Sequence, residues 1–208
     1  MHVLIVDDHA VVREGLKQIL RVDLPEAEFG EAATGSEAVE LIWQRPWDVV
    51  VLDINLPGRS GVEVLKDIRQ SKPHLPVLVM SVHSEDQYAL RVLRAGAAGY
   101  ITKDSADELL VAAVRRVLAG GRYVSPALAE RLAAHLTEDL HRPIHELLSD
   151  REFEVFRHLA AGKTVKEIGA VMSLSVKTIS TYRTRILDKT QFKTNADIMR
   201  YAVHHGLM

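Results

Sequence analysis

Short, unbroken apolar runs separated by stretches of helical spacing mark the front of the chain. Val3-Leu4-Ile5-Val6, Val49-Val50-Val51-Leu52 and Val77-Leu78-Val79-Met80 carry no polar interruption, the pattern of strands buried on both faces of a parallel sheet. Glu28 to Ala32 and Ala98 to Thr102 supply two more strands. Between them lie segments with one apolar face. Ala10 to Val22 sets Val12, Leu16, Ile19 and Leu20 in helical register, and Leu24-Pro25 stops it. Ser36 caps a helix through Val39 and Ile42; others run from Gly61 to Gln70, from Glu85 to Ala95, and from a cap at Asp104 or Ser105 to Leu118. Gly120-Gly121 ends this series.

Five βα units in that order predict an α/β domain over residues 1–121, a doubly wound five-stranded parallel sheet of flavodoxin-like type. Beyond it the pattern changes. Ser125-Pro126 is a helix start, and Ala127 to Leu136 continues it. Thr137 to Leu148, with Pro143, reads as a tether, so residues 122–146 form a linker with a helix. From 147 to 208 the periodicity is helical throughout and predicts a smaller all-α domain. Leu148-Ser149-Asp150-Arg151-Glu152 is a capping signature before Phe153, Val155, Phe156 and Leu159. Ala161-Gly162 ends that helix, Thr164 caps the next, and Val165, Ile168, Val171 and Met172 face inward on it. Ser173-Leu174-Ser175 is a turn, Val176 to Asp188 a further helix, and Ala196 to His205 the last.

Two short helices joined by a tight turn, the second rich in Lys and Arg, read as a helix-turn-helix. On the second helix Ile179, Ile186 and Leu187 form the buried stripe. Lys177, Ser180, Thr181 and Thr184 fall on the opposite side, where base edges are read; Arg183, Arg185, Lys189 and the Thr178 hydroxyl suit phosphates. A solvated charged helix in a small bundle is the bland alternative.

Charge supports two modules. The chain's net −2 divides into ten Lys and Arg against seven Asp and Glu over residues 146–208, net +3, which leaves residues 1–145 at −5. Hydrophobic residues at 47% and charged residues at 26% suit a soluble globular protein. The absence of cysteine excludes disulfides and thiolate metal sites, no apolar run is long enough to span a membrane, and cytoplasmic placement is expected. His135, His141 and His145 lack the regular spacing of a metal site.

A parallel sheet gathers the residues that follow its strands at one edge, where ligands bind. Here those are Asp7 and Asp8, Asp53, Ser81 and Lys103. Asp53 closes an apolar strand and opens into the turn residues Asn55, Pro57 and Gly58; alone, it could be a nucleophile, a metal ligand or a cap. Three carboxylates crowded together repel one another and favour a hard divalent cation such as Mg²⁺. Lys103 can pair with a carboxylate or a transferred phosphoryl oxygen, and Ser81 offers a hydroxyl.

These residues, with Asp53-Ile54-Asn55-Leu56-Pro57-Gly58 and Gly96-Ala97-Ala98-Gly99-Tyr100-Ile101-Thr102-Lys103, resemble the receiver domain of two-component response regulators. The rear resembles the LuxR-type helix-turn-helix of the NarL/FixJ regulators, through Leu148-Ser149-Asp150-Arg151-Glu152, Gly162-Lys163-Thr164, Lys166-Glu167-Ile168, Leu174-Ser175-Val176-Lys177-Thr178-Ile179 and Tyr182-Arg183-Thr184-Arg185-Ile186-Leu187. The resemblance implies a phosphoryl acceptor at Asp53. It implies Mg²⁺ held by Asp7 or Asp8, Asp53 and the backbone carbonyl of Asn55, with Ser81 and Lys103 on the phosphoryl group. Tyr100 would reorient as Ser81 moves inward. It also implies a histidine-kinase phosphodonor, double-stranded DNA as target, a homodimer, and a regulator of transcription rather than an enzyme. Leu56 stands where methionine is frequent, and Asp104 replaces a common proline, which loosens the turn after the fifth strand. Val165 replaces asparagine, and Thr190 puts a hydroxyl where leucine is usual and so weakens the end of the recognition helix. A helix over Ala106 to Leu118 with Leu109, Leu110, Val114 and Val117 beside Arg115 and Arg116 fits a dimer face or an ordinary packed helix. A phosphohydrolase of the haloacid dehalogenase type would want an acid two residues after Asp53, where Asn55 stands; an adaptor binding protein through both modules is the other alternative.

Overall fold

The computed structural model describes residues 1–82, 85–130 and 143–207. Its contacts divide the chain into two units, Met1–Leu132 and Ala133–Met208. In the first, β1 (His2–Val6), β2 (Glu28–Ala32), β3 (Val49–Asp53), β4 (Val77–Ser81) and β5 (Gly99–Thr102) form one parallel sheet in the order β2-β1-β3-β4-β5. β3 and β4 are buried along their whole length, as their uninterrupted apolar runs require.

Successive side chains leave a strand on opposite faces. Val3, Ile5, Val49, Val51, Leu78, Met80 and Ile101 therefore pack on one face under α1 (Ala10–Asp23) and α5 (Ala106–Leu118). The alternate residues Leu4, Val50, Leu52 and Val79 are equally buried. α2 (Gly35–Gln44) and α3 (Gly61–Ser71) pack on each other, and α4 (Glu85–Arg94) lies against β5. Leu110, Val114 and Val117 of α5 are core residues, so those positions belong to an ordinary packed face.

Local chemistry accounts for the element ends. Thr34, rather than Ser36, caps α2: its hydroxyl accepts from Glu37 N at 3.2 Å, while Glu37 accepts from Ala33 N. Ser60 and Glu63 form a reciprocal capping box on α3. Without proline after Lys103, the chain makes a 3₁₀ turn over Lys103–Ser105, closed by the Thr102 and Ser105 hydroxyls 2.8 Å apart. Neither Asp104 nor Ser105 caps α5 through its side chain. Tyr123 then returns to the sheet, its N–H donating to Ala98 O and its carbonyl accepting from Tyr100 N. Helical residues follow at 126–130; the rest of the helix expected to Leu136, the first half of the tether, His135 and His141 lie outside the described residues.

The second unit holds α6 (Asp150–Ala160), α7 (Val165–Met172), α8 (Val176–Thr190) and α9 (Asn195–His204) around Phe153, Phe156, Ile168, Ile179, Ile186 and Ile198. Capping boxes start α6 (Ser149/Glu152), α7 (Thr164/Glu167) and α9 (Thr194/Asp197). The α7–α8 turn is tight: Ser173 is left-handed at φ 55°, and Leu174 N reaches Gly169 O at 2.9 Å. A Cβ at Gly169 would stand 2.8 Å from Leu174 O, so only glycine lets the two backbones approach. Val171, expected inside, is instead 55% exposed; the inward face of this short helix is Ile168, Gly169 and Met172.

Candidate functional site: an acidic pocket and a basic helix

Asp7 follows β1, Asp53 ends β3 and Lys103 follows β5, so the sheet carries all three to its carboxyl edge. Lys103 Nζ lies 2.7 Å from Asp53 Oδ2 and 2.5 Å from Asp7 Oδ2. Both carboxylates are buried, Asp7 at 0% and Asp53 at 1% exposure. Burial pushes the Asp53 carboxyl above its ordinary range, and the Lys103 ammonium offsets only part of that. Burial pulls the opposite way on Lys103, but Asp53 and Asp7 prevail and raise it, so the ammonium stays charged. Asp53 Oδ1 also accepts from Asn55 N at 3.1 Å.

The loop after β3 is held close beneath this pocket. Gly61 N donates to Ile54 O at 2.9 Å, and a Cβ on Gly61 would lie 2.1 Å from Asp53 O. Glycine at the start of α3 therefore allows the helix to pack against the very strand end that presents Asp53.

One ammonium faces the carboxylates of Asp7 and Asp53, and Asp8 follows Asp7 in the chain. Asp7 Oδ2 has no aligned hydrogen-bond donor despite its contact with Lys103, which leaves a buried oxygen with lone-pair capacity to spare. Asp7, Asp8 and His9 bring one ligand atom each within 4.8 Å of one another. Of these donors, the carboxylate oxygens suit a hard divalent cation. Ser81 ends β4 fully buried, and Tyr100, also fully buried, lies on β5, where Val79 is its partner in register.

Two residues of the pocket escaped the sequence reading. His9 donates its backbone N–H to Asp7 Oδ1, and its Nδ1 is 2.8 Å from Asp8 Oδ1. Arg13 Nη1 donates to Asp7 O at 2.7 Å and its Nε to Glu31, tying α1 to the end of β1. His9 adjoins the acid pair and was open to inference; Arg13 is one helical turn on, with nothing in its spacing to mark it.

In the second unit α8 presents Lys177, Ser180, Thr181, Thr184, Arg185 and Lys189 to solvent, with Ile179 and Ile186 inward. The hydroxyls of Thr181 and Thr184 donate back to Lys177 O and Ser180 O, and Thr178 sits 2.8 Å from Ser175 Oγ. Two cations are steered from below. Arg183, partly buried, donates Nε to Asn195 Oδ1 at 2.8 Å. Lys189 Nζ lies 2.6 Å from Oε2 of the buried Glu152, which also accepts from Ser149 N. Burial would raise the Glu152 carboxyl; Lys189 and Ser149 outweigh it and hold it low. Thr190 is buried, and its hydroxyl donates to Ile186 O at 2.7 Å, so it is satisfied within its own helix.

A parallel sheet with buried acids and a lysine at its carboxyl edge, followed by a helix-turn-helix with an exposed cationic face, defines a signal-receiving domain joined to a DNA-binding one. Residues 3–115 match the response regulator receiver domain, and residues 146–202 match the bacterial regulatory proteins of the luxR family. The chain is 36% identical over 208 residues to the response regulator GacA of Pseudomonas aeruginosa, covering 99% of this chain and 97% of that protein. It is 33% identical to the response regulator UvrY of Escherichia coli, covering 100% and 95%. A LuxR-family two-component response regulator from an Aurantimonas species superposes with a TM-score of 0.60 at 37% identity, over 66% of this chain and 98% of that one. RcsB from Salmonella enterica, bound to promoter DNA, shares the fold over 97% of each chain at a TM-score of 0.66 and 24% identity. The chain belongs to the two-component response regulators with a receiver domain and a LuxR-type helix-turn-helix, the NarL/FixJ type. Among the described residues no helix is long and apolar enough to cross a membrane.

Proposed function

We propose that Asp53 accepts a phosphoryl group and that the resulting charge alters how α8 engages DNA. The observation that carries this is the ion-pair arrangement of Lys103 against Asp53 and Asp7 at the end of an otherwise apolar sheet. A carboxylate oxygen of Asp53 attacks phosphorus, and the leaving group departs as the histidine of a sensor kinase or as acetate from acetyl phosphate. Lys103 remains beside the product and pairs with a phosphoryl oxygen, while Ser81 donates its hydroxyl to another. Asp7, Asp8, Asp53 and the Asn55 carbonyl would hold Mg²⁺, which supplies charge neutralisation on the transferring group.

Phosphorylation adds about −1.5 to −2 charge at one point. As Ser81 is drawn in, Tyr100 repacks beside β4, and a local charge becomes a changed surface. In the second unit, Lys177, Ser180, Thr181 and Thr184 face base edges, and Thr178, Arg183 and Arg185 face phosphates. Lys189, held by Glu152, lends its charge to the same face while fixing the end of α8 on α6. A homodimer reading paired half-sites on double-stranded DNA completes the function, carried out in the cytoplasm beside the chromosome.

Asp53→Asn tests the assignment directly. The variant is expected to lose acid-labile phosphate uptake from acetyl phosphate while keeping the wild-type circular dichroism spectrum. Undiminished labelling places the acceptor on another residue.

A further inference from the structure

Lys177, Ser180, Thr181 and Thr184 stand at i, i+3, i+4 and i+7, so they form one stripe along α8, and all four are exposed. The chemistry of that stripe is narrow. Residues 176–187 contain no Asn or Gln, which pair with adenine, and no Asp or Glu, which accept from the cytosine amino group. Lys177 is a donor only and suits guanine O6 and N7. That leaves three short hydroxyl side chains to distinguish the remaining bases.

Two of those hydroxyls are already engaged. Thr181 Oγ1 donates to Lys177 O at 3.0 Å, and Thr184 Oγ1 donates to Ser180 O at 3.1 Å. Each threonine thus spends its one hydroxyl proton on the carbonyl four residues back. Neither can then donate to thymine O4, guanine O6 or a purine N7. With the oxygen drawn toward the preceding turn, the methyl is the bulky group that Cβ has left to offer a partner. Ser180, on the same stripe, makes no such bond among the described residues and carries no methyl.

We infer that Thr181 and Thr184 read thymine through its C5-methyl group, by apolar contact rather than by hydrogen bonding. In the major groove that methyl marks thymine without calling on a donor or an acceptor, and a threonine methyl is among the groups that fit it. The two threonines are three residues apart, about 4.5 Å along the helix axis. Base pairs step by about 3.4 Å, so the pair addresses neighbouring positions. The inference rests on the proposed placement of α8 against base edges and adds which base its central residues select. The remaining lone pairs of the two hydroxyls could accept from an adenine or cytosine amino group, and the experiment separates that mode from contact through the methyls.

The full chain selects DNA from a random pool, and each thymine of the selected site is then replaced in turn by deoxyuridine, which lacks only the C5-methyl. Neighbouring thymines in each half-site should each lose about fourfold in affinity, the worth of one buried methyl. Cytosine at those positions should bind more weakly than thymine, and 5-methylcytosine should recover part of the loss. Thr181→Ser with Thr184→Ser keeps the hydroxyls and removes the methyls, so the ratio of thymine to deoxyuridine affinity should fall to about one. Thr181→Val with Thr184→Val keeps the methyls and removes the hydroxyls, and that ratio should persist. Melting temperatures equal to the wild type show that both double variants are folded. The inference is overturned if deoxyuridine binds as well as thymine throughout while Lys177→Ala weakens binding, because α8 would then read DNA without the methyls. It is also overturned if the valine variant loses the ratio, which would make the hydroxyls the readers. If Lys177→Ala and Arg185→Ala both bind as the wild type does, the placement of α8 itself fails and the inference falls with it.

Discussion

In the first unit Asp7 and Asp53 are buried at strand ends and both pair with the partly buried Lys103; in the second, Lys177, Thr181, Thr184 and Arg185 stand in water along one helix. Burial makes the first set interdependent. Each charge is tolerable only because the others are present, since an isolated buried charge costs several kcal/mol. The exposed set lacks that coupling, and each member of α8 can be exchanged with little consequence for the fold. The first site therefore behaves as one switchable unit, whereas the second can be tuned residue by residue toward a DNA sequence.

The sharpest way to break this contrast is Lys103→Ala. It leaves two buried carboxylates facing each other without a counter-charge, and should destabilise the receiver by about 3–5 kcal/mol in metal-free buffer. Added Mg²⁺ should restore more stability to the variant than to the wild type, read from urea midpoints. A loss below about 1 kcal/mol would mean the pair is solvated like any surface bridge.

On α8 the expected effects are smaller and separable. Lys177→Ala should cost about 1–3 kcal/mol of affinity and relax base preference at one position. Arg185→Ala should weaken all sequences alike and reduce the salt slope of log K by about one. Neither should move the melting temperature. If both variants behave identically in competition binding across salt concentrations, the division into base-facing and phosphate-facing residues is wrong.

A pH-dependent effect concerns His158 on α6, whose pKa falls from its ordinary 6.5 to about 4 through burial, reinforced by Lys163 and Arg157. The folded state keeps this imidazole neutral, so between those values the unfolded chain binds more protons. Stability of the second unit is therefore present above about pH 6.5 and declines as pH falls toward 4. His158→Leu should flatten that decline in calorimetric scans of the full chain, while an unchanged pH profile would remove His158 as its source.

Which parts of this were legible in the sequence follows from the same contrast. Val49-Val50-Val51-Leu52 admits hardly any reading but a buried parallel strand, and once the sheet is set, Asp7, Asp53, Ser81 and Lys103 have nowhere else to go. The cap of α2 was harder, because Thr34 and Ser36 both precede the same apolar stripe and differ only in whether Gly35 is already helical. Val171 fitted the apolar spacing of α7, yet a helix of eight residues leaves its last turn short of partners, and the side chain points to water. The bond from the Thr190 hydroxyl to a carbonyl in the preceding turn cannot be read from residue type alone. The Glu152–Lys189 pair spans 37 residues, and Glu152 already had a sufficient local role as a helix cap.

The coupling between the two regions is the central claim, and DNA affinity with and without phosphodonor measures it most directly. DNA selected from a random pool, titrated against the wild-type chain and Asp53→Asn, each with Mg²⁺ and with or without acetyl phosphate, should show tightening about tenfold or more on phosphodonor treatment for the wild type alone. Equal affinities in all four conditions would contradict the account.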